Sequence, residues 1–161
     1  GYYLFLRPRP TPLILWTPEA YPLQMPPLAF AQEDAQRLRQ VNPLNLRATY
    51  HDACHLCHAQ GVTKQPRQVL QRIPGVELVE MREASWCCGS AGIYNLTHPE
   101  RAEKILARKL ANVAATQADI VATGNPGCLL QLEAGVREQG LAIQVRHPVE
   151  LLDEAYRAGA R

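Results

Sequence analysis

Residues 119–128, DIVATGNPGC, decide the fold of this chain because they contain a complete transition from strand to helix. The apolar run at 119–123 predicts a buried strand, and the GNPG turn at 124–127 ends it. Residues 128–138 then predict a helix, because apolar side chains recur there at helical spacing. Cys128 therefore follows a strand and opens a helix, a position at which α/β proteins bind ligands.

The same alternation of strand and helix extends on both sides of this stretch. Further strands are predicted at residues 46–50, 76–81 and 142–146. Further helices are predicted at residues 66–73, 99–116 and 149–158. Alternating elements of this kind predict an α/β fold with a parallel sheet of about four strands covered by helices.

Two of the helix starts carry local signals. Thr97 and Glu100 have the spacing of a capping box, and Pro99 suits the first turn of the helix that follows. His147 precedes Pro148 at the start of the last helix, where we expect the imidazole to cap the helix or to pack at the strand end.

Residues 1–43 differ in composition from the rest of the chain. They contain eight of the 13 prolines, and proline removes a backbone donor and fixes φ. We predict a proline-rich irregular arm or an unrelated leader over 1–43, with one short helix at 31–40, followed by a domain at 44–161. Because the chain begins with Gly1 rather than methionine, we expect a fragment or a processed chain.

Composition and charge exclude several classes of protein. The net charge is +2, and the basic residues form no stripe interleaved with aromatic residues, so nucleic acid is not an expected partner. No run of eighteen apolar residues exists, so no transmembrane helix is expected. Five cysteines without a signal peptide argue against a disulfide framework and favour a cytoplasmic protein with reduced thiols.

The cysteines lie where the predicted strands end. Cys54 follows the first strand, Cys87 and Cys88 follow the second after a short loop, and Cys128 follows the third. Gly89 permits the sharp turn that two adjacent thiolates need in order to reach one metal centre. Four thiolates satisfy either a tetrahedral zinc ion or a 4Fe–4S cluster, and the ligand count does not separate the two.

Three neighbouring residues are further candidate ligands. Cys57 is three residues after Cys54, a spacing that suits a metal knuckle. His51 and His55 lie close to Cys54 in the sequence. For both we favour a hydrogen-bonded role beside the ligands over direct ligation.

The cysteine pattern and its surroundings resemble the cysteine-rich CCG domain, in particular the C-terminal part of the glycolate oxidase iron–sulfur subunit. The domain also occurs in one of the subunits of heterodisulfide reductase. The stretches that carry the resemblance are YHDACHL at 50–56, HAQGV at 58–62, CCGSAG at 87–92, YNL at 94–96, RKLAN at 108–112, NPGC at 125–128 and HPVELL at 147–152.

The resemblance implies electron transfer through a 4Fe–4S cluster on Cys54, Cys87, Cys88 and Cys128. In the family, a flavin subunit oxidises a 2-hydroxy acid such as glycolate, and the iron–sulfur subunit passes the electrons onward. The implied partners are flavin-containing glycolate oxidase subunits, and the implied location is the cytoplasm or the inner face of the cell membrane, reached through the complex.

Two departures from the family pattern keep other functions open. The fuller motif ends in Cys-x-x-Cys, whereas Gln131 stands at the second of these positions here. The ferredoxin motifs of the glycolate oxidase subunit are also missing, which again favours a fragment. The alternatives are a structural zinc domain for subunit assembly and a thiol redox domain like that of heterodisulfide reductase.

Overall fold

A computed structural model describes residues 41–158, which lie in a compact unit spanning Gln40–Arg161. The predicted proline-rich arm falls almost entirely outside these residues, as does the helix predicted at 31–40. The strands are β1 (Leu46–His51), β2 (Val76–Val79), β3 (Ile120–Thr123) and β4 (Gln144–Arg146). The α-helices are α1 (Lys64–Arg72), α2 (Tyr94–Thr97), α3 (Pro99–Ala115), α4 (Pro126–Glu138) and α5 (Pro148–Arg157), and a π-helical turn spans His55–Ala59.

The four strands form one parallel sheet in the order β2-β1-β3-β4. The predicted α/β class and the four-stranded parallel sheet are thus confirmed. From β1 the chain passes to β2, which pairs with one edge of β1, and then crosses back to β3, which pairs with the other edge. The direction of winding therefore reverses between β1 and β3, and open α/β sheets bind ligands at such a reversal.

The helices cover the sheet in two pairs. Helix α1 contacts α5, and α3 contacts α4. Crossovers between parallel strands are right-handed. Because the direction of winding reverses, the α1–α5 pair and the α3–α4 pair lie on opposite faces of the sheet. Gly135 lies at a close contact between α3 and α4, since a Cβ at this position would lie 2.7 Å from the side chains of Leu106 and Leu110.

The main hydrophobic core lies between the sheet and the α3–α4 layer. It continues without interruption into two of the candidate ligands, since Cys88 and Cys128 belong to the same buried cluster as Leu110, Val121 and Leu132. The thiols are therefore held by packed apolar neighbours, and their positions depend on a correctly formed core.

The helix starts differ from the sequence predictions in an instructive way. The capping box predicted at Thr97 and Glu100 is wrong, because Thr97 ends α2 and its hydroxyl donates back to the Ile93 carbonyl at 3.2 Å. His98 is the N-cap of α3 instead. The predicted cap at the last helix is confirmed, since the His147 Nδ1 accepts from the backbone of α5 and Glu150 completes the capping box.

No helix within residues 41–158 is both long enough and apolar enough to cross a membrane.

Candidate metal centre

A cavity of about 130 Å³ lies at the carboxyl ends of β1 and β3, where the winding of the sheet reverses. Four of the five cysteines line it, and they come from three separate loops. The lining residues are His51, Cys54, His55, Cys87, Cys88, Ser90, Ala91, Gly92, Asn125 and Cys128. The sequence prediction that these cysteines converge at strand ends therefore agrees with the geometry of the fold.

Cys57 does not line this cavity. It lies on the π-helical turn after Cys54, and its thiol donates to the Cys54 carbonyl at 3.6 Å. All five cysteines lie within residues 41–158 and all are free thiols. The structure thus brings together Cys54, Cys87, Cys88 and Cys128, and leaves Cys57 apart from them.

The adjacent cysteines are presented by a tight turn that only glycine accommodates well. Gly89 has φ of +96°, and a Cβ here would lie 2.7 Å from the Ala102 carbonyl oxygen of α3. The Gly89 N–H also donates to the Cys87 Sγ at 3.2 Å. The turn therefore packs against α3, directs both thiols towards the cavity and stabilises negative charge on one of them.

Cys128 lies in the first turn of α4. Asn125 is the N-cap of this helix, and its side-chain oxygen accepts from the Cys128 N–H at 3.0 Å. The Asn125 amide nitrogen lies 3.3 Å from the His55 Nδ1, which ties the two loops together across the cavity. A helix N-terminus favours a thiolate, so the location of Cys128 suits a ligand.

The thiols of Cys87, Cys88 and Cys128 are close enough to perturb one another. Interaction with Cys88 raises the pKa of Cys87 to about 12, and interaction with Cys128 raises the pKa of Cys88 to about 11. The thiol of Cys88 in turn lowers the pKa of Cys128 by donating to it. These mutual interactions oppose the ionisation of all three sulfurs together, and a bound cation would relieve that opposition.

Besides the thiols, the site contains the buried imidazole of His51, whose ring nitrogen could bind a metal. Its imidazole is fully buried, and neither ring nitrogen has a hydrogen-bond partner among residues 41–158. Burial, followed by the charge of Lys109, lowers its pKa to about 4, so the ring is neutral. One ring nitrogen and the sulfurs of Cys88 and Cys128 lie within 4.8 Å of one another. A neutral, buried and unpartnered imidazole beside two thiols suits a metal-bound group, and the donor set as a whole fits zinc or an iron–sulfur cluster.

A buried ion pair supports the loop between His51 and Cys54. Arg67 of α1 donates to both carboxylate oxygens of Asp52, at 2.7 and 2.9 Å, and also to Glu80 beyond β2. The guanidinium lies 5.2 Å from the centre of the Tyr50 ring. Arg67 therefore connects the end of β1 to α1 and to the segment after β2.

The loop before the adjacent cysteines is fastened from the other side. Glu83 has φ of +58°, an unusual conformation for a residue with a side chain. Its carboxylate pairs with Arg108 and accepts from Asn112, and its carbonyl accepts from the Lys109 ammonium. Three side chains of α3 thus hold this turn, and with it the position of Cys87.

A second cavity of about 200 Å³ lies on the outer side of Cys87. Glu83, Trp86, Cys87, Lys104, Ile105, Arg108 and Lys109 line it. Trp86 is 56% exposed, with the Arg108 guanidinium 4.5 Å from its ring centre. Cys87 is therefore the one cysteine that borders both the inner cavity and this outer cleft among the described residues.

The roles of Asn125 and Lys109 at the site were not predicted from the sequence, although the sequence pattern indicates both. Asn125 followed by Pro126 is typical of an N-cap and a first helical residue. This pair predicts that α4 starts at Pro126 rather than at Cys128. Lys109 falls on the apolar face of α3 together with Leu106, Leu110 and Val113. A lysine on that face predicts a buried charge.

Comparisons with known proteins agree with the site. The sequence profile of the cysteine-rich (CCG) domain matches residues 48–133. The chain is 49% identical over 109 residues to the probable glycolate oxidase iron-sulfur subunit of Bacillus subtilis, and 41% identical over 118 residues to one of the subunits of the fumarate reductase (CoM/CoB) of Methanothermobacter marburgensis. It is 32% identical over 107 residues to lactate utilization protein A of Oceanobacillus iheyensis.

These alignments cover 66%, 73% and 66% of this chain, but 24%, 24% and 44% of the respective relatives. The chain thus spans about a quarter of the first two proteins. The profile match begins within β1 and takes in every residue that lines the cavity. The chain therefore belongs to the cysteine-rich (CCG) domain family.

Proposed function

We propose that this chain is an electron-transfer domain of a multi-subunit oxidoreductase, and that Cys54, Cys87, Cys88 and Cys128 hold a 4Fe–4S cluster. The observation that carries the proposal is the convergence of these four thiols on one cavity from three strand-end loops. The relative named as an iron-sulfur subunit supports this choice of cofactor. When bound, the cluster accepts one electron and gives it up again.

The protein's own residues have defined tasks in this role. The Gly89 N–H reduces the negative charge on the Cys87 sulfur, and the start of α4 does the same for Cys128. The apolar neighbours of Cys88 exclude water from the inner side of the site. Cys87 lies between the inner cavity and the outer cleft, so it offers the shortest path for an electron to a partner docked at that cleft.

We further propose that the domain, over residues 44–161, works with flavin-containing subunits that oxidise a 2-hydroxy acid such as glycolate, in the cytoplasm or on the inner face of the membrane. The resemblance to the glycolate oxidase iron-sulfur subunit supports this assignment. The chain would not hold the hydroxy acid or the flavin. Its contribution would be to receive the electrons and pass them on.

A structural zinc site is the second candidate, and one observation favours it. His51, Cys88 and Cys128 bring three donor atoms within 4.8 Å of one another, and mixed histidine and cysteine sets are typical of zinc. Cys54 or Cys87 would supply the fourth ligand. In that case the domain would brace subunit assembly rather than carry electrons.

Metal and acid-labile sulfide analysis of anaerobically purified protein separates the two candidates. We expect about four irons and four sulfides per chain, with a broad visible absorbance that bleaches on reduction. One zinc without sulfide would contradict the electron-transfer proposal and establish the structural one. A thiol redox function would instead require full activity of the metal-free chain.

His51 provides a separate prediction, because its buried imidazole, which has no hydrogen-bond partner within residues 41–158, should weaken the metal-free fold but favour metal binding. Replacing it by leucine removes two buried, unpartnered nitrogens, so the free energy of unfolding of the metal-free protein stays equal or rises. We expect the affinity for Co²⁺, used as a spectroscopic probe, to fall about 10- to 100-fold. Urea unfolding and a competitive chelator titration measure the two quantities.

His55→Leu is the matched control, since His55 lines the same cavity but lies near its exposed edge, beside Asn125. We expect a smaller loss of Co²⁺ affinity for this variant. Unchanged affinity in His51→Leu would contradict any role of His51 at the metal site, whether as a ligand or beside the ligands.

A further inference from the structure

The ammonium of Lys109 is a buried positive charge with no acidic partner of its own. The residue is 2% exposed, and its Nζ donates to the backbone carbonyls of Glu83 and Ala84. Within residues 41–158, no carboxylate oxygen lies within 4.0 Å of this nitrogen. A buried ammonium without a counter-charge is costly, so a compensating anion is expected nearby.

The nearby acidic groups are already committed elsewhere. The Glu83 carboxylate pairs with Arg108 and accepts from Asn112, and the Asp52 carboxylate takes both donors of the Arg67 fork. Each of these acids is therefore already paired with an arginine, and Arg67 is shared between Asp52 and Glu80. Lys109 therefore has no direct ion pair within residues 41–158, and the charges of Glu83 and Asp52 act on its ammonium only from beyond 4.0 Å.

The remaining candidates for a counter-charge are the thiols of the adjacent cysteines. Lys109 and Cys87 line the same outer cleft, and the carbonyls that Lys109 binds lie three and four residues before Cys87 in the chain. Burial lowers the pKa of Lys109, while Cys88 and Cys87 are among the groups that oppose this shift. The fold thus places Lys109 at the same cleft as Cys87, whose sulfur would become a thiolate on metal binding.

We propose that Lys109 is a positioning residue whose charge balances the anionic, thiolate-ligated metal group and raises its reduction potential. The inference rests on the proposed function. A cluster on four thiolates is a net anion, as is a zinc ion on three thiolates and one neutral imidazole, and adding an electron to the cluster makes it more negative. A buried cation at short range stabilises that extra charge more strongly than a solvated cation would.

The first test is a dithionite titration of the cluster-loaded protein, monitored by visible absorbance. Lys109→Met keeps most of the side-chain length and removes the charge. We expect about a tenfold shift of the reduction equilibrium towards the oxidised form, which is a potential more negative by about 59 mV for a one-electron couple. Lys109→Gln retains a donor for the carbonyls, and we expect it to show the same shift.

Lys104→Met is the matched control. Lys104 lies on the same helix and lines the same cleft, but it is exposed, so water and salt screen its charge. We expect its potential to stay close to that of the unmodified protein. Wild-type potentials in both Lys109 variants would overturn the inference, whatever happens to their thermal stability.

A second measurement covers the case of a zinc site. Metal-free protein is titrated with Co²⁺, and we expect Lys109→Met and Lys109→Gln to bind it several-fold more weakly than Lys104→Met does. Equal affinities in a chain that carries no cluster would overturn the inference. Failure of the proposed function is recognised separately, by an unmodified protein that contains zinc and no sulfide.

Discussion

Replacing Cys88 by serine is expected to abolish metal binding, with a loss of Co²⁺ affinity beyond the roughly 100-fold that changes around a ligand produce. Cys88 is 1% exposed and its thiol interacts with those of both Cys87 and Cys128, so it lies at the centre of the donor set. A serine hydroxyl has nearly the same size but does not ionise in this range of pH. Iron and sulfide analysis of the purified variant gives the same information for the cluster.

Cys57→Ser is the matched control for this experiment. Cys57 lies on the turn after Cys54 and does not line the cavity. The variant should keep the metal content and the Co²⁺ affinity of the unmodified chain. An equal loss in Cys57→Ser would contradict the ligand set proposed above. Urea unfolding of both metal-free variants shows whether either substitution damages the fold itself.

Arg67→Met is expected to lower the free energy of unfolding by about 3 kcal/mol, because it leaves the Asp52 carboxylate buried without its partner. The Asp52 side chain is only 6% exposed and that of Arg67 18%, so water does not replace the lost contact fully. Methionine keeps the apolar stem of the arginine over Tyr50, which restricts the effect to the charge and its hydrogen bonds. Urea denaturation of the metal-free protein measures the change.

Two further variants make this prediction specific. Adding Asp52→Asn to Arg67→Met should restore part of the stability, since it removes the unpaired charge. Arg157→Met breaks the exposed ion pair with Asp153 and should leave the unfolding curve unchanged. A loss in Arg67→Met no larger than in Arg157→Met would show that the Asp52 pair contributes as little as a surface pair.

Much of the fold could be predicted because its signals are local. The apolar run that forms β3 and the turn after it are contained in about ten residues, and the helices carry a clear apolar period. The strand at 76–81 ends early, at Val79, and α4 begins two residues before the prediction. The π-helical turn and α2 were missed, since each is a short element with little periodicity.

The convergence of the candidate ligands was predictable from the sequence, whereas the contacts that support them were not. Cys54, Cys87, Cys88 and Cys128 could be placed together because parallel strands end at one edge of a sheet. The lack of any hydrogen-bond partner for His51 within residues 41–158 and the burial of Lys109 depend on how the loops pack over α3. Such tertiary contacts have no signature in sequence spacing, so the electrostatics of the site required the structure.

The distribution of the candidate ligands over three strand-end loops would make cofactor insertion a late event in folding. Cys54 meets Cys88 only after β1 has paired with β2, and it meets Cys128 only after β3 has added to the other side of β1. Parallel pairings between distant segments form slowly, because the chain loses loop entropy before the contacts compensate for it. During that interval the nascent domain exposes reactive thiols to oxidants. The rate at which the sheet closes therefore sets how long the chain is vulnerable before it is loaded.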